Sequence, residues 1–136
     1  MADIPVVAWH LHDPVSLDAK GRPVFPATVP LKPGLYRLTL PDGRTKVGHG
    51  ESVSRRISEY RHPTQGNAGE HFINAALREA GRATLETFTD CDLSDKALRL
   101  MLERAEQRAA DETGRPRLQP HPAWTVRFHA RLQKPN

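Results

Sequence analysis

The chain has 136 residues, of which 38% are hydrophobic and 26% charged, enough for one globular domain with a single core. It contains no apolar run long enough to span a bilayer and no basic-then-apolar leader, which argues against a membrane protein and against secretion. The single cysteine can form neither an internal disulfide nor a zinc site by itself, so we expect a cytoplasmic location.

Positive charge is the most informative feature of the composition. The formal net charge is +4, and most of the 20 basic residues are arginines. Arginine makes forked contacts with phosphate oxygens, so this composition favours a polyanionic partner. Codon usage in a GC-rich genome produces the same excess of arginine, and charge alone does not separate the two explanations.

The N-terminal part of the chain predicts an arm rather than a domain. Residues 1–32 are rich in proline and turn residues and hold one strand-like run, residues 6–12. We expect this arm to pack on a core formed by residues 33–118. Residues 119–136 then form an extension that ends in a strand at about 124–132.

A β-hairpin is predicted within residues 31–50. The sequence Pro-Asp-Gly at residues 41–43 suits a three-residue loop, with the glycine in the left-handed position. This turn pairs Leu38 with Lys46 and Tyr36 with Gly48, so Tyr36 and Lys46 lie on one face. A two-residue Asp-Gly turn would slip the register by one residue and separate them.

Three helices and a further strand follow the hairpin. Ser52 is the predicted cap of a helix that runs to about residue 61, and Asn67 with Glu70 forms a capping-box pattern for a second. Residues 83–89 predict a strand, and Asp92 or Ser94 is expected to cap a long helix that runs to about residue 112. This order predicts a small mixed α/β (α+β) domain, with a mainly antiparallel sheet flanked by helices.

Two adjacent arginines of the first helix differ in direction. Its apolar stripe is Val53, Ile57 and Tyr60. By the helical step, Arg56 lies at the edge of this stripe and can lean over the hairpin, whereas Arg55 points to solvent or to a ligand.

Three short segments together resemble the GIY-YIG nuclease superfamily. They are GLY at residues 34–36, KVG at residues 46–48 and RISEY at residues 56–60. In that family, a hairpin and the following helix carry the half-site for phosphodiester hydrolysis. Here Lys46 occupies the position of the usual second tyrosine, as in some restriction-enzyme and phage-type branches, and His49 stands where excision-repair subunits carry a lysine.

The resemblance implies a DNA endonuclease that uses Mg²⁺ or Mn²⁺ held by a single glutamate. Glu103 and Glu106 of the long helix are the candidates, and Glu106 is preferred because it lies nearer the apolar stripe and at the family's distance before Pro116. The family often has an asparagine shortly after that proline, where this chain has Gln119.

The resemblance also assigns roles to the other residues. Tyr36 is the implied base, with its phenol pKa lowered by Lys46, or it orients the attacking water. Arg56 holds the scissile phosphate, and His49 donates to phosphate or moves a proton. The implied partner is nucleic acid, DNA in preference to RNA. The candidate backbone contacts are Arg55, Arg61, Asn67 and Arg78.

Alternatives remain open for several of these residues. A catalytically inactive module that keeps the fold and the basic surface would carry the same pattern. His10 and His12 share a strand face, but without a nearby cysteine or acidic partner we expect a structural role for them. Trp9 and Trp124 are expected to pack in the interior rather than to stack on bases.

Overall fold

The computed structural model describes residues 4–133 of the chain. In chain order the elements are β1 (His10–Leu11), β2 (Ser16–Leu17), β3 (Pro23–Val24), β4 (Gly34–Thr39), β5 (Thr45–Gly50), α1 (Val53–Arg61), α2 (Ala68–Ala80), β6 (Thr84–Phe88), α3 (Lys96–Glu112) and α4 (Pro122–Gln133). An antiparallel sheet has the order β1-β6-β4-β5, and β2 pairs with β3 in a separate ribbon. The predicted class, a small α/β domain with a mainly antiparallel sheet, is confirmed. No helix within residues 4–133 is long and apolar enough to cross a membrane.

The hairpin of β4 and β5 has the register that the Pro-Asp-Gly turn predicts. Tyr36 lies opposite Gly48, and Leu38 lies opposite Lys46. Gly43 has a φ of +94°, in the left-handed region that glycine adopts without strain. Because side chains alternate along a strand, Tyr36, Leu38 and Lys46 share one face of the sheet.

Each face of the sheet has its own core. The face with Tyr36 packs under α1 and α2, where Ile57 and Leu77 are fully buried. The opposite face carries Leu35, which packs against Leu102 of α3. The Tyr36 face therefore looks toward α1, the helix that carries the predicted phosphate-binding arginine.

Two of the three predicted helix starts are confirmed. The Ser52 side chain caps α1, and the Asn67 side chain caps α2. The prediction of Asp92 or Ser94 as the cap of α3 is wrong, because Asp95 accepts the hydrogen bond from the first turn. The Asp92 carboxylate instead accepts hydrogen bonds from the amide and hydroxyl of Ser94 in the preceding turn.

The predicted strand at residues 124–132 is wrong, since α4 occupies this segment. Trp124 and Phe128, four residues apart, lie on one side of this helix, and Trp124 packs edge-on against Phe72 with ring centres 5.4 Å apart. Within the described residues, the outer edge of β5 is bridged at Thr45 alone, by residues 116–118, and α3 packs against this strand.

The N-terminal arm contributes directly to the sheet and to the core. Its strand is shorter than the predicted residues 6–12, because its partner β6 ends at Phe88 and regular pairing covers only His10–Leu11. Val15 and Val29 of the arm lie in the core beside α1 and α2. The first three residues of the arm, and the last three of the chain, lie outside the described residues.

Candidate functional site

Tyr36 lies beneath the site as a buried hydroxyl. Its side chain is 1% exposed, and its hydroxyl lies 2.5 Å from that of Tyr60 on α1. The ring extends directly over Gly48, where a Cβ would lie 2.1 Å from the Tyr36 hydroxyl oxygen. Position 48 must therefore be glycine as long as position 36 is tyrosine, because any larger side chain would overlap the tyrosine ring.

The expectation of a lowered phenol pKa for Tyr36 is wrong. Burial, together with neighbouring Tyr60, raises the pKa of Tyr36 well above its usual value, and the nearby Arg56 charge opposes this only in part. The physical reason is that the cost of desolvating a fully buried phenolate exceeds its attraction to the Arg56 charge, which Glu59 and Glu70 already neutralise. Tyr36 is thus a neutral hydroxyl at physiological pH.

Lys46 is perturbed in the opposite direction. Burial lowers the pKa of this lysine, while the Glu103 carboxylate works against the shift and the Arg56 charge reinforces it. A half-buried amine with a lowered pKa releases its proton more easily than a solvated lysine does, so it can serve as a proton acceptor. Lys46 is therefore better suited than Tyr36 to accept a proton in a reaction.

Arg56 is held by two carboxylates on one side. Its Nη1 donates to Glu70 Oε2 at 2.8 Å and also to Glu59, and its guanidinium lies over the Tyr60 ring, 5.3 Å from the centroid. Gly50 at the end of β5 gives room for this side chain, because a Cβ there would lie 3.0 Å from the Arg56 Cβ. The Arg56 Cβ thus lies beside the end of the hairpin, while its guanidinium contacts Glu70 of α2, which the sequence did not predict.

His49 lies between two side chains of α3. Its Nδ1 accepts a hydrogen bond from Arg99 Nε at 3.3 Å, and its Nε2 lies 3.7 Å from Glu103 Oε2. Burial lowers the pKa of His49, with Glu103 opposing that shift. Because Nδ1 accepts from an arginine, the neutral ring carries its proton on Nε2, on the side of Glu103.

The carboxylate that reaches the hairpin is Glu103, whereas the sequence favoured Glu106. Glu103 contacts His49 and acts on the pKa of both Lys46 and Tyr36. Glu106 is half-exposed, and its carboxylate makes no ion pair or hydrogen bond with a residue between 4 and 133. The reason is the position of α3, which lies along the edge strand β5, so that Arg99 and Glu103, one turn apart, both face the hairpin.

Two adjoining cavities lie on either side of Lys46, and together we call them the cleft. The first, of about 190 Å³, separates β5 from α3 and is lined by Glu103 and Arg104. The second, of about 90 Å³, lies between Arg56 and the start of α2. Lys46 and Gln119 line both cavities, so the two adjoin at these residues. Of the predicted catalytic residues, Lys46 and Arg56 line the cleft, whereas Tyr36, His49 and Glu106 do not.

Sequence reasoning assigned no role to several polar residues that line the cleft. Arg104 and Arg117 line the first cavity, and Gln119 lines both. No spacing rule singles out the two arginines. For Gln119 there was a signal, because it follows the proline after which the resembling family often carries an asparagine.

The four predicted backbone-contacting residues do not form one surface. Arg55 is exposed, and Asn67 lines the second cavity while its side chain caps α2. Arg61 is committed to the arm, with hydrogen bonds to the Pro23 carbonyl at 2.6 Å and to the Asp18 carboxylate at 2.9 Å. Arg78 lies eleven positions beyond Asn67, roughly 16 Å along α2 from the cleft, beside the arm.

The histidines and tryptophans of the arm and of α4 have structural contacts. The His12 ring bonds to the hydroxyls of Thr28 and Thr87 at 2.9 Å and 2.6 Å. His10 instead lies 3.6 Å from Asp90, so the two histidines have no shared ligand position. Trp9 packs under the Arg37 guanidinium, 4.7 Å from its ring centre.

Comparison of the chain with known protein families, with curated proteins and with solved structures gives no match in any of the three.

Proposed function

We propose that this protein is a metal-dependent endonuclease of the GIY-YIG type that hydrolyses phosphodiester bonds in DNA. The observation that carries the proposal is that Lys46, Arg56 and Glu103, from three separate elements, line one cleft with Tyr36 directly beneath it. Each of these residue types suits phosphoryl chemistry, and the cleft brings a guanidinium, an amine and a carboxylate together.

Each residue has a role that its surroundings support. The guanidinium of Arg56 binds the scissile phosphate and stabilises the charge that grows on its oxygens. Lys46, in its neutral form, accepts the proton of the attacking water, and the Tyr36–Tyr60 hydroxyl pair orients that water from below. His49 lines neither cavity, and its Nε2–H lies on the side of Glu103, so we assign it to the orientation of that carboxylate rather than to the phosphate.

The side chains of the cleft fit a hydrated Mg²⁺ or Mn²⁺ at Glu103. Residues 4–133 contain no group of three or more metal-ligating side chains, which argues against a closed protein cage. A hard cation that keeps several waters needs only one carboxylate, and Glu103 lines the open first cavity. When bound, such an ion lowers the charge of the phosphate and of the leaving 3′-oxygen.

A matched pair of variants tests the proposal on supercoiled plasmid with Mg²⁺. Glu103→Gln should lower the nicking rate by about 100-fold or more, whereas Glu106→Gln on the same helix should stay within about threefold of wild type. EDTA should abolish nicking. Nicking that survives EDTA, or equal losses in the two variants, would contradict the assignment of Glu103.

A second candidate function is a catalytically inactive nucleic-acid-binding module. The raised pKa of Tyr36 and the absence of a second tyrosine in the KVG segment favour it. This candidate requires DNA binding without nicking under Mg²⁺ or Mn²⁺. With either function, we expect the protein to bind DNA in preference to RNA. We also propose a cytoplasmic location, with which the exposed free Cys91 is consistent because that compartment is reducing.

A further inference from the structure

Glu70 is a buried carboxylate whose position is unusual for a residue in the first turn of a helix. It is 3% exposed, although ionised carboxylates are rarely buried unless they are paired. Its Oε2 accepts from Arg56 Nη1 at 2.8 Å, and its Oε1 accepts from the backbone N–H of Thr64 at 2.8 Å. Burial raises the pKa of Glu70, but hydrogen bonding with the Glu59 carboxyl, then with Thr64 and Arg56, outweighs it and lowers that pKa to about 2, so the carboxylate remains charged.

The capping-box pattern of Asn67 and Glu70 predicts a different partner for this carboxylate. In a capping box, the acidic side chain reaches back to the N–H of the cap residue. Here the Asn67 N–H donates to the Thr64 carbonyl, and the Glu70 side chain turns away to Thr64 and Arg56. The start of α2 is thus tied both to the loop before it and to α1.

The Arg56 guanidinium is anchored in a way that leaves its phosphate-binding edge free. Both carboxylates, Glu59 and Glu70, take hydrogen bonds from Nη1. No residue between 4 and 133 accepts a hydrogen bond from Nε or Nη2 of Arg56. Nε and Nη2 are the pair of donors that bind two oxygens of one phosphate side by side.

We propose that Glu70 is a positioning residue for the proposed nuclease site, holding Arg56 by Nη1 so that Nε and Nη2 face the cleft. This inference rests on the proposed function, because it assigns Arg56 to the phosphate. Glu59 contributes less to fixing Arg56, because its side chain is 41% exposed and, unlike Glu70, it accepts no hydrogen bond from the Thr64 backbone. Glu70, between a backbone amide and the guanidinium, fixes the direction of the arginine.

Loss of the Glu70 contact should lower the rate of DNA cleavage. A phosphate-binding group displaced by about 1 Å can lower the rate of reaction about 100-fold. Glu70→Gln keeps the acceptor for Thr64 but places an amide against a guanidinium, so Arg56 should lose its fixed position. We expect kcat to fall between about tenfold and 100-fold, while KM for plasmid DNA, which other contacts set, changes less than about threefold.

The experiment combines nicking kinetics with a double-substitution cycle. Glu79→Gln, an exposed position at the far end of α2, is the control for the change of charge and should stay within about twofold of wild type. In an Arg56→Lys background, Glu70→Gln should add less than about a twofold further loss, because a residue that acts through Arg56 has nothing left to position. A loss as large as in the wild-type background would overturn the proposal.

A measurement without activity separates this inference from the nuclease proposal. In arginine side-chain ¹H–¹⁵N spectra, Arg56 should show slowed rotation of its guanidinium in the wild-type protein and lose it in Glu70→Gln. If the wild-type protein nicks no DNA but this difference is seen, the Glu70 contact stands and the nuclease proposal fails. If the wild-type protein nicks DNA and folded Glu70→Gln equals it in both measurements, the positioning role is refuted. Glu70→Asp replaces Glu70→Gln in both experiments if the latter does not fold.

Discussion

Gly48→Ala places a methyl group where the Tyr36 ring now lies. The new Cβ would be 2.1 Å from the hydroxyl oxygen of Tyr36, 2.2 Å from its Cζ and 2.6 Å from its Cε1. Ordinary contact between carbon atoms lies near 3.6 Å, so the tip of the ring would have to retreat by about 1.4 Å. The ring is 1% exposed and packed beneath α1, which leaves it little room to move.

The expected cost has two parts. Forcing a methyl group into a filled core costs about 1–3 kcal/mol, and separating the hydroxyls of Tyr36 and Tyr60 leaves buried polar groups unpaired at about 1 kcal/mol more. We therefore expect Gly48→Ala to lower the free energy of unfolding by about 2–4 kcal/mol. For a chain of this length, that corresponds to a Tm lower by about 8–15 °C.

Thermal unfolding followed by circular dichroism measures the effect. Gly69→Ala is the matched control, because its Cβ would meet only the Asn67 side chain at 3.5 Å, and alanine there should raise stability by up to about 1 kcal/mol. In a Tyr36→Leu background, adding Gly48→Ala should cost less than about 1 kcal/mol, since the ring tip is gone. A Tm for Gly48→Ala within 2 °C of wild type would refute the steric argument.

Three further predictions follow from the charges and contacts. Burial raises the pKa of both Tyr36 and Tyr60 above 10.0, so the folded protein keeps phenolic protons that the unfolded chain loses. The free energy of unfolding should therefore fall as pH rises above 10.0, and absorbance at 295 nm should show no phenolate below that pH. Lys46→Met removes a charge that burial disfavours, so Tm should stay the same or rise, while the rate of plasmid nicking should fall more than about 100-fold. A large decrease in Tm would contradict the argument from burial. Arg61→Ala and Asp18→Ala break the same contact between α1 and the arm, so each should lower Tm, the double variant by less than the sum, with DNA affinity in fluorescence anisotropy unchanged.

Local sequence patterns were sufficient where the chemistry that decides the structure is itself local. The turn at residues 41–43 determines the hairpin register, because proline fixes φ at the start of the turn and glycine accepts the positive φ at its end. The caps Ser52 and Asn67 bond to amides only three residues away. The helical step alone places Arg56 at the edge of the apolar stripe of α1. These predictions needed no knowledge of what packs against the elements concerned.

Local patterns failed where the answer depended on a distant part of the chain. Residues 124–132 have the composition of a strand, but they form a helix whose Trp124 packs against Phe72 of α2, a contact that no local pattern indicates. The choice between Glu103 and Glu106 turned on which side of α3 meets β5. A stripe of apolar residues cannot decide this for a helix that lies along the edge of a sheet.

The sequence by itself determined the hairpin, its register and the three segments that place a tyrosine, a lysine and an arginine close together. Only the tertiary structure decided their chemistry. Protonation depends on how much water each group loses and which charges it meets, and these are set by residues far away in the chain. Burial keeps Tyr36 neutral and makes Lys46 the easier group to deprotonate, while Glu70 turns Arg56 toward the cleft.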